Sequence, residues 1–323
     1  MLTEKRHFRV GETGSEGRRM RRLLPICLVF LVAACTGTKS VGVPASTTMV
    51  NSVAVAKNAE SISSAMMSGA DKLAMATESV GVATFAPTGI EATQVGRALY
   101  RNDVSLDVYY PPDYQFDQPL PTVVFVNAFS TTAPTVLIDP EGAIMDDLPT
   151  VDFQNADSFI SLGNMVAASG MIAVVYGTGN DPRRDLSDAM TWLLDNTASL
   201  GIDPDHLSLW MFSAHTLIGL RSVMDPNEAW AENLECVVVY YGWMPRDHIR
   251  TDLPIHVVKA LEDDPFFIES IDAFMAEAEE AGVPVDYHEV QGPHAFDLEP
   301  AYADITSTAF SKTLSFLKDH LSG

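Results

Sequence analysis

Basic residues are scarce in this chain of 323 residues. It has 20 lysines and arginines against 43 aspartates and glutamates, a formal net charge of −23 at pH 7. An acidic surface repels the phosphate backbone of nucleic acids, whose binding depends on phosphate neutralisation by Lys and Arg. It also disfavours adsorption to anionic lipid through charge alone. We therefore expect no nucleic-acid partner.

Cysteine is also scarce, with three residues in the whole chain: Cys27, Cys35 and Cys236. Cys27 lies within an apolar N-terminal run, and Cys35 follows that run directly. Cys236 lies in the apolar stretch 234–240, which is typical of a buried strand, so we expect it to be an inert core residue. Because the first two cysteines belong to a segment that we expect to be processed, the sequence predicts no disulfide within the folded protein.

Long apolar runs are missing too. The apolar run 23–34 is far shorter than the ~20 residues that a transmembrane helix needs. It follows the basic segment 18–22 (RRMRR), and this arrangement is typical of a secretory signal. Residues 31–35 (LVAAC) resemble the lipobox of bacterial lipoprotein signals, in which the cysteine becomes the lipidated first residue. We predict a signal peptide over residues 1–34 and lipidation of Cys35, with plain secretion after cleavage nearby as the alternative.

The remaining chain divides by composition into two parts. Residues 35–94 are rich in Ser, Thr, Ala, Val and Gly and poor in aromatic residues, which is typical of a flexible tether. We expect residues 95–323 to form the folded domain. Lipidation of Cys35 would hold the protein at the cell envelope, on the periplasmic or extracellular face, with the lipid anchor as its only membrane contact. The protein would be secreted if the lipobox interpretation were wrong.

Strand and helix patterns alternate along the predicted domain. Near-continuous apolar runs such as 120–126 and 171–176 are typical of strands buried on both faces. The sequence predicts strands at 104–110, 120–126, 171–176, 207–212, 234–241, 254–261 and 283–290, and helices at 184–199, 214–224, 265–281 and 302–321. This alternation implies right-handed crossovers and a mostly parallel sheet.

Reactive groups in such a sheet gather beyond the carboxyl ends of its strands. We therefore expect the functional site in the loops that follow residues 126, 212, 261 and 290. The segment 130–158 is longer than ordinary connections, and we expect it to be a loop that acts as a lid or binding element.

Glycine is missing from the two positions that usually flank a nucleophilic serine in a strand-to-helix turn. Met211 and His215 occupy those positions around Ser213. A serine hydroxyl is a poor nucleophile until a histidine, oriented by a carboxylate, removes its proton. In this sequence, Asp263 follows Ser213 and His294 follows Asp263, each after a later predicted strand. The order favours Ser213 as a nucleophile over a structural serine.

Several segments in the same order carry a wider resemblance: 106–112 (LDVYYPP), 121–127 (PTVVFVN), 200–210 (LGIDPDHLSLW), 212–214 (FSA), 269–274 (ESIDAF) and 292–297 (GPHAFD). Through them, residues 98–322 resemble the α/β-hydrolases related to dienelactone hydrolases and secreted esterases. The resemblance implies the α/β-hydrolase fold, with a mostly parallel central sheet flanked by helices. It also implies hydrolysis of a small-molecule carboxylic ester or lactone, with no cofactor and no metal.

The same resemblance implies a role for each site residue. Ser213 would be the nucleophile, His294 the general base and then the general acid, and Asp263 the residue that orients His294. The backbone N–H groups of Phe129 and Ala214 would form the oxyanion hole that stabilises the tetrahedral intermediate.

Several alternatives stay open at this point. Asp264 lies in the same turn as Asp263 and competes for the acid role. His215 is either a competing base or, as we prefer, a residue at a helix N-terminus that packs against a neighbouring strand. The two aspartates and His294 could ligate a metal, but nothing else completes a known metal motif. The glycine-poor turn at Ser213 also fits a catalytically inactive envelope lipoprotein that serves as a binding or scaffold module.

Overall fold

The computed structural model describes residues 78–79, 94–101, 104–132, 135–138, 144–148, 150–246 and 248–322. The predicted signal peptide and Cys35 lie outside these residues. So does most of the predicted tether, of which Glu78, Ser79 and Gln94 are described. No helix within the described ranges combines the length and the apolar character needed to cross a bilayer.

The described strands are, in chain order, β1 (Glu78–Ser79), β2 (Gln94–Arg101), β3 (Val104–Tyr110), β4 (Leu120–Phe125), β5 (Thr135–Ile138), β6 (Ile144–Leu148), β7 (Ile172–Tyr176), β8 (Ile202–Phe212), β9 (Leu234–Tyr240), β10 (Ile255–Ala260) and β11 (Val285–Val290). Nine of them form one sheet in the order β1-β2-β3-β7-β4-β8-β9-β10-β11. Neighbours from β7 to β11 pair in parallel, whereas β1, β2 and β3 add antiparallel pairs at one edge. The predicted mostly parallel sheet is therefore confirmed.

The helices are α1 (Asp157–Ala168), α2 (Pro182–Asp195), α3 (Thr197–Leu200), α4 (Thr216–Met224), α5 (Pro265–Ala281) and α6 (Ala303–Leu321). Their starts and ends follow local chemistry. The Asp181 carboxylate accepts the N–H of Arg184, and Pro182 occupies the first turn of α2, where a missing N–H costs nothing. Gly282 ends α5 in the left-handed conformation, at a φ of 76°.

The central strands are buried on both faces because helices cover the sheet. Every residue of β7 and β10 is buried, as is β8 from Leu207 onward. Helices α1 and α6 contact strands of this sheet and line a common cleft, and α2 contacts α4. Cys236 on β9 is fully buried, and burial raises the pKa of its thiol to about 12, so the predicted inert core cysteine is confirmed as a buried thiol.

Several parts of the structure differ from the sequence prediction, among them β2 and α1, for which the sequence pattern predicts no strand or helix. Residues 130–158 are not one long loop, because they contain the antiparallel pair β5–β6, a short 3-10 turn at Phe153–Asn155 and the start of α1. Strand β8 begins at Ile202, earlier than predicted. The predicted helix 214–224 starts with a 3-10 turn, Ser213–His215, before α4.

Candidate active site

Ser213 lies in a strained turn between β8 and α4. Its φ is +47°, in the left-handed region that residues with a side chain rarely adopt. The chain has to reverse here from an extended strand into a helix, and a residue in this conformation turns it within a single step. Backbone strain of this kind costs about 1–3 kcal/mol and persists only where the surrounding structure enforces it. Only 4% of the Ser213 surface is exposed.

Met211 stands where a glycine would usually leave room between the strand and the helix. In this structure Gly219, on the facing helix, leaves that room instead. Gly219 lies on α4, where an added Cβ would come within 2.9 Å of Val126 Cγ2 and 3.0 Å of Met211 Sδ. Gly219 therefore lets the helix lie close to the sheet although Met211 carries a long side chain. Similarly, a Cβ at Gly242 would overlap the side chain of Thr216 at the start of α4.

The three side chains that the sequence singles out form one hydrogen-bonded row. Ser213 Oγ lies 2.6 Å from His294 Nε2, and His294 Nδ1 lies 2.8 Å from Asp263 Oδ2. The other carboxylate oxygen of Asp263 accepts the backbone N–H of Asp264 at 2.7 Å. The side chains of Asp263 and His294 are 1% and 9% exposed. Each ring nitrogen of His294 thus has a fixed partner in a nearly water-free position.

Asp264, the alternative acid, has a different partner. Its Oδ1 accepts the N–H of Phe266 at 2.9 Å, so it is the N-cap of α5. The two adjacent carboxylates are therefore directed to different groups, with Asp263 at the histidine and Asp264 at the helix.

Two aromatic rings pack against His294. The Tyr241 ring lies edge-on at a centroid distance of 4.9 Å, and the Phe267 ring lies at 4.6 Å. The hydroxyl of Tyr241 donates to Asp297 Oδ1 at 2.5 Å. Burial raises the pKa of Asp297 to about 6, and the Tyr241 hydrogen bond opposes that rise. Sequence reasoning missed both Tyr241 and Asp297, although Asp297 ends the segment 292–297.

The loop after β4 contains Phe129, for which the resemblance implies an oxyanion-hole N–H. In this conformation that N–H donates to Asn127 Oδ1 at 3.0 Å, and so is already engaged. Ala214, the other implied donor, lies in the 3-10 turn after Ser213, where the first N–H groups have no partner within the turn. The N–H of Ala214 therefore lies directly beside Ser213, whereas the N–H of Phe129 is bound to the Asn127 side chain.

His215 is packed inside the protein. It is 1% exposed, and its Nδ1 accepts the backbone N–H of Ala128 at 2.9 Å. Burial lowers the pKa of His215 to about 3, so its ring is neutral at physiological pH. With Nδ1 occupied and protonation this costly, His215 is a packed residue at the start of a helix, which agrees with the preferred sequence interpretation over the competing base.

No metal cluster accompanies these side chains. Within the described ranges, no three His, Cys, Asp or Glu residues are grouped so that they could hold a metal ion. The row of Ser213, His294 and Asp263 has the hydrogen-bonding pattern that covalent catalysis by a serine requires.

The chain has no match among protein-family models or curated proteins. Solved structures are similar to it at low identity. The native esterase Est2 of the Planctomycetes species Thermogutta terrifontis gives a TM-score of 0.55 at 16% identity, covering 71% of this chain and 94% of the esterase. The same esterase 2 has been solved phosphorylated by paraoxon.

Two further structures agree with that likeness. The α/β-hydrolase enzyme MGS-M1, from a Medee basin deep-sea metagenome library, gives a TM-score of 0.53 at 18% identity, over 72% of this chain and 99% of that one. A mutant of the esterase rPPE gives 0.56 at 14% identity, over 74% and 86%. With its mostly parallel sheet, flanking helices and strained turn after β8, this protein has the α/β-hydrolase fold.

Proposed function

We propose that the protein is a serine hydrolase that cleaves small-molecule carboxylic esters or lactones through an acyl-enzyme intermediate. One observation carries the proposal: the hydrogen-bonded row from Ser213 through His294 to Asp263 begins at a strained strand-to-helix turn. The similar solved structures support it, because several of them are described as esterases.

In the acylation step, His294 Nε2 takes the proton of Ser213 Oγ as that oxygen attacks the carbonyl carbon of the substrate. The carbonyl oxygen becomes an oxyanion, which the N–H of Ala214 and an N–H of the loop after β4 stabilise. Collapse of this intermediate breaks the bond to the alcohol oxygen. His294 returns its proton to that oxygen, and for a lactone the alcohol stays attached to the acyl group.

In the deacylation step, water replaces the serine oxygen as the attacking group. His294 Nε2 takes a proton from water, the hydroxide oxygen bonds to the acyl carbon, and a second oxyanion forms at the same site. Its collapse releases the carboxylic acid, and the proton on His294 goes back to Ser213 Oγ. Throughout, Asp263 keeps the Nδ1 hydrogen of His294 in place and stabilises the transient imidazolium.

Two finer parts of the proposal come from the sequence. The likeness to dienelactone hydrolases favours a lactone among the substrates, and the lipobox-like residues 31–35 favour attachment to the cell envelope through Cys35. Hydrolysis of an aryl lactone tests the first, and metabolic labelling with a fatty-acid analogue in cells that express Cys35→Ala tests the second.

The central experiment uses paraoxon and a short-chain 4-nitrophenyl ester. Paraoxon is suitable because it phosphorylates the structurally similar esterase 2. We expect the wild-type protein to hydrolyse the ester and to gain one diethylphosphoryl group, on Ser213, by mass spectrometry. Ser213→Ala should gain none, and His294→Ala should react far more slowly.

Ser311→Ala is the matched control, because Ser311 is an exposed serine on α6 whose hydroxyl donates to a backbone carbonyl. It should behave as the wild type does. Equal labelling and turnover in the wild type, Ser213→Ala and His294→Ala would overturn the proposal. Absence of both reactions in the wild type would favour the non-catalytic binding module.

A further inference from the structure

We infer that His215 is a positioning residue that ties the oxyanion loop, residues 127–129, to the turn that carries Ser213. The inference rests on the proposed function and explains why a histidine can replace the usual glycine. His215 lies two residues after Ser213, and its Nδ1 accepts the N–H of Ala128 across the gap between the two loops at 2.9 Å. Both sides of the oxyanion hole thereby become parts of one hydrogen-bonded unit.

The other end of the oxyanion loop is fixed to β7. The N–H of Asn127 donates to Tyr176 Oη at 3.1 Å, and Asn127 Nδ2 donates to the carbonyl of Tyr176 at 3.3 Å. The hydroxyl of Thr178 donates to the carbonyl of Phe129. These contacts hold the loop toward β7, whereas the bond to His215 reaches the Ser213 turn.

Three phenylalanine rings keep the His215 imidazole in place. The rings of Phe129, Phe153 and Phe159 lie at centroid distances of 5.2, 4.8 and 5.7 Å from it. The imidazole cannot rotate without displacing them, because the cluster is closed to solvent. Since burial also lowers the pKa of His215, the ring stays neutral and Nδ1 keeps the lone pair that accepts the Ala128 hydrogen.

The bond between Ala128 and His215 matters for catalysis because the N–H of Phe129 must move from the Asn127 side chain to the oxyanion of the substrate. This N–H donates to Asn127 Oδ1 in this structure and would have to release that oxygen for an oxyanion. The bond from the Ala128 N–H to His215 holds the residue directly before Phe129 and so limits how far the Phe129 N–H can move during the exchange. Without this bond, the Ala128–Phe129 peptide could shift away from Ser213, and misplacement by about 1 Å can cost 10²-fold in rate.

Two substitutions distinguish the role of His215 as a hydrogen-bond acceptor from its role as a packed side chain. His215→Asn keeps an oxygen acceptor near the Nδ1 position but loses packing, whereas His215→Leu keeps apolar bulk and loses the acceptor. We expect His215→Leu to lower kcat per active site about tenfold to 10²-fold with little change in KM. His215→Asn should keep more of kcat although it packs less well. Active sites are counted by paraoxon titration, so that a change in the folded fraction does not enter kcat.

Affinity for phenylboronic acid adds a second readout. A boronate on Ser213 mimics the tetrahedral intermediate, so its affinity should fall in His215→Leu by about the same factor as kcat/KM. A merely structural role would lower stability and leave both kcat per active site and boronate affinity unchanged in both variants. That result would overturn the inference.

Amide exchange tests the tether independently of activity. The Ala128 N–H should be protected in the wild type and in His215→Asn, and should exchange faster in His215→Leu. The wild-type ring should also be the neutral tautomer with its hydrogen on Nε2, by 15N NMR, which needs no variant. A proton on Nδ1 would overturn the tether. If the wild type cleaves no ester but these two results hold, the proposed function fails and the tether itself stands.

Discussion

His294 and His215 both lie near Ser213 and both contact aromatic rings, but the partners of their ring nitrogens differ. His294 Nδ1 lies against the carboxylate of Asp263, and its Nε2 lies against the serine hydroxyl. His215 Nδ1 lies against a backbone N–H instead, and burial lowers its pKa to about 3. A carboxylate stabilises the protonated ring, whereas an N–H donor in an apolar cluster requires the neutral one.

The difference shows that the partner of Nδ1 decides what a buried histidine can do. Opposite a carboxylate, Nδ1 carries the hydrogen, which leaves the lone pair on Nε2 free to take a proton from serine. Opposite an N–H, Nδ1 supplies the lone pair and the ring serves as a fixed acceptor. One residue type therefore provides both the proposed base and the proposed tether, at two positions that are 79 residues apart in the chain.

The largest effect should come from making the two histidines alike. Asp263→Asn would present an amide N–H to His294 Nδ1, the arrangement that His215 already has. The ring would then carry its hydrogen on Nε2 and could not accept the serine proton, so we expect kcat to fall by up to about 10⁴-fold. Ester hydrolysis with active-site titration measures it. Wild-type turnover in Asp263→Asn would show that this carboxylate does not orient the base.

A second test compares stability against pH in the wild type and His215→Asn. The unfolded histidine has a pKa of 6.5 and the folded one about 3, so the unfolded chain binds the extra proton first. The free energy of unfolding of the wild type should fall as the pH drops from 6.5, by about 2 kcal/mol at pH 5 and about 4 kcal/mol by pH 3. His215→Asn lacks this contribution.

Urea unfolding at pH 7 and pH 5 measures that difference, since other groups titrate alike in both proteins and cancel. The gap between wild type and His215→Asn should therefore narrow as the pH falls. A constant gap would mean that His215 is not held neutral, and the contrast between the two histidines would be lost.

Much of the fold could be predicted from the sequence because burial on both faces leaves a local signature. The apolar runs that predict β4, β7 and β9 do not depend on distant residues. The places of Ser213 and His294 at one edge of the sheet could also be predicted locally, because each residue comes soon after the end of a predicted strand. Helix α1 was missed, because its polar first residues and the preceding segment carry no clear period.

The finer geometry of the site depends on contacts between distant segments. The sequence does not show that Gly219 leaves room for Met211, since that requires the helix-to-sheet distance. The bond from Ala128 to His215 joins residues that are 87 positions apart, and the Asn127 contact with Phe129 depends on the path of its loop. Such contacts form only after packing has set the loops, and no local pattern encodes them.

Asp297 allows a smaller test of the same comparison. It is a buried carboxylate near His294, but its hydrogen-bond partner is the Tyr241 hydroxyl, whereas Asp263 faces a ring that becomes cationic when it is protonated. The pKa of Asp297 rises from 3.8 to about 6 through burial, so the folded state holds the proton more tightly than the unfolded chain. The free energy of unfolding should fall by about 2 kcal/mol as the pH rises from 4 to 7. Asp297→Asn, which can still accept from Tyr241, should lack this fall.

Thermal or urea unfolding at pH 4 and pH 7 checks the sign. We expect Asp297→Asn to gain stability relative to the wild type as the pH rises. An unchanged difference between the two proteins would mean that Asp297 ionises in the folded state as easily as in the unfolded one.

The smallest effect should come from Asp264, and it separates the two carboxylates of one turn. Asp264→Ala removes the N-cap of α5, so we expect a loss of about 1 kcal/mol in the free energy of unfolding. Turnover per active site should change little, because His294 keeps its bond to Asp263. Asp264→Asn, which retains a capping oxygen, should recover most of the stability. If Asp264→Ala instead lost activity as severely as Asp263→Asn, the carboxylate that orients His294 would be that of Asp264 and not that of Asp263.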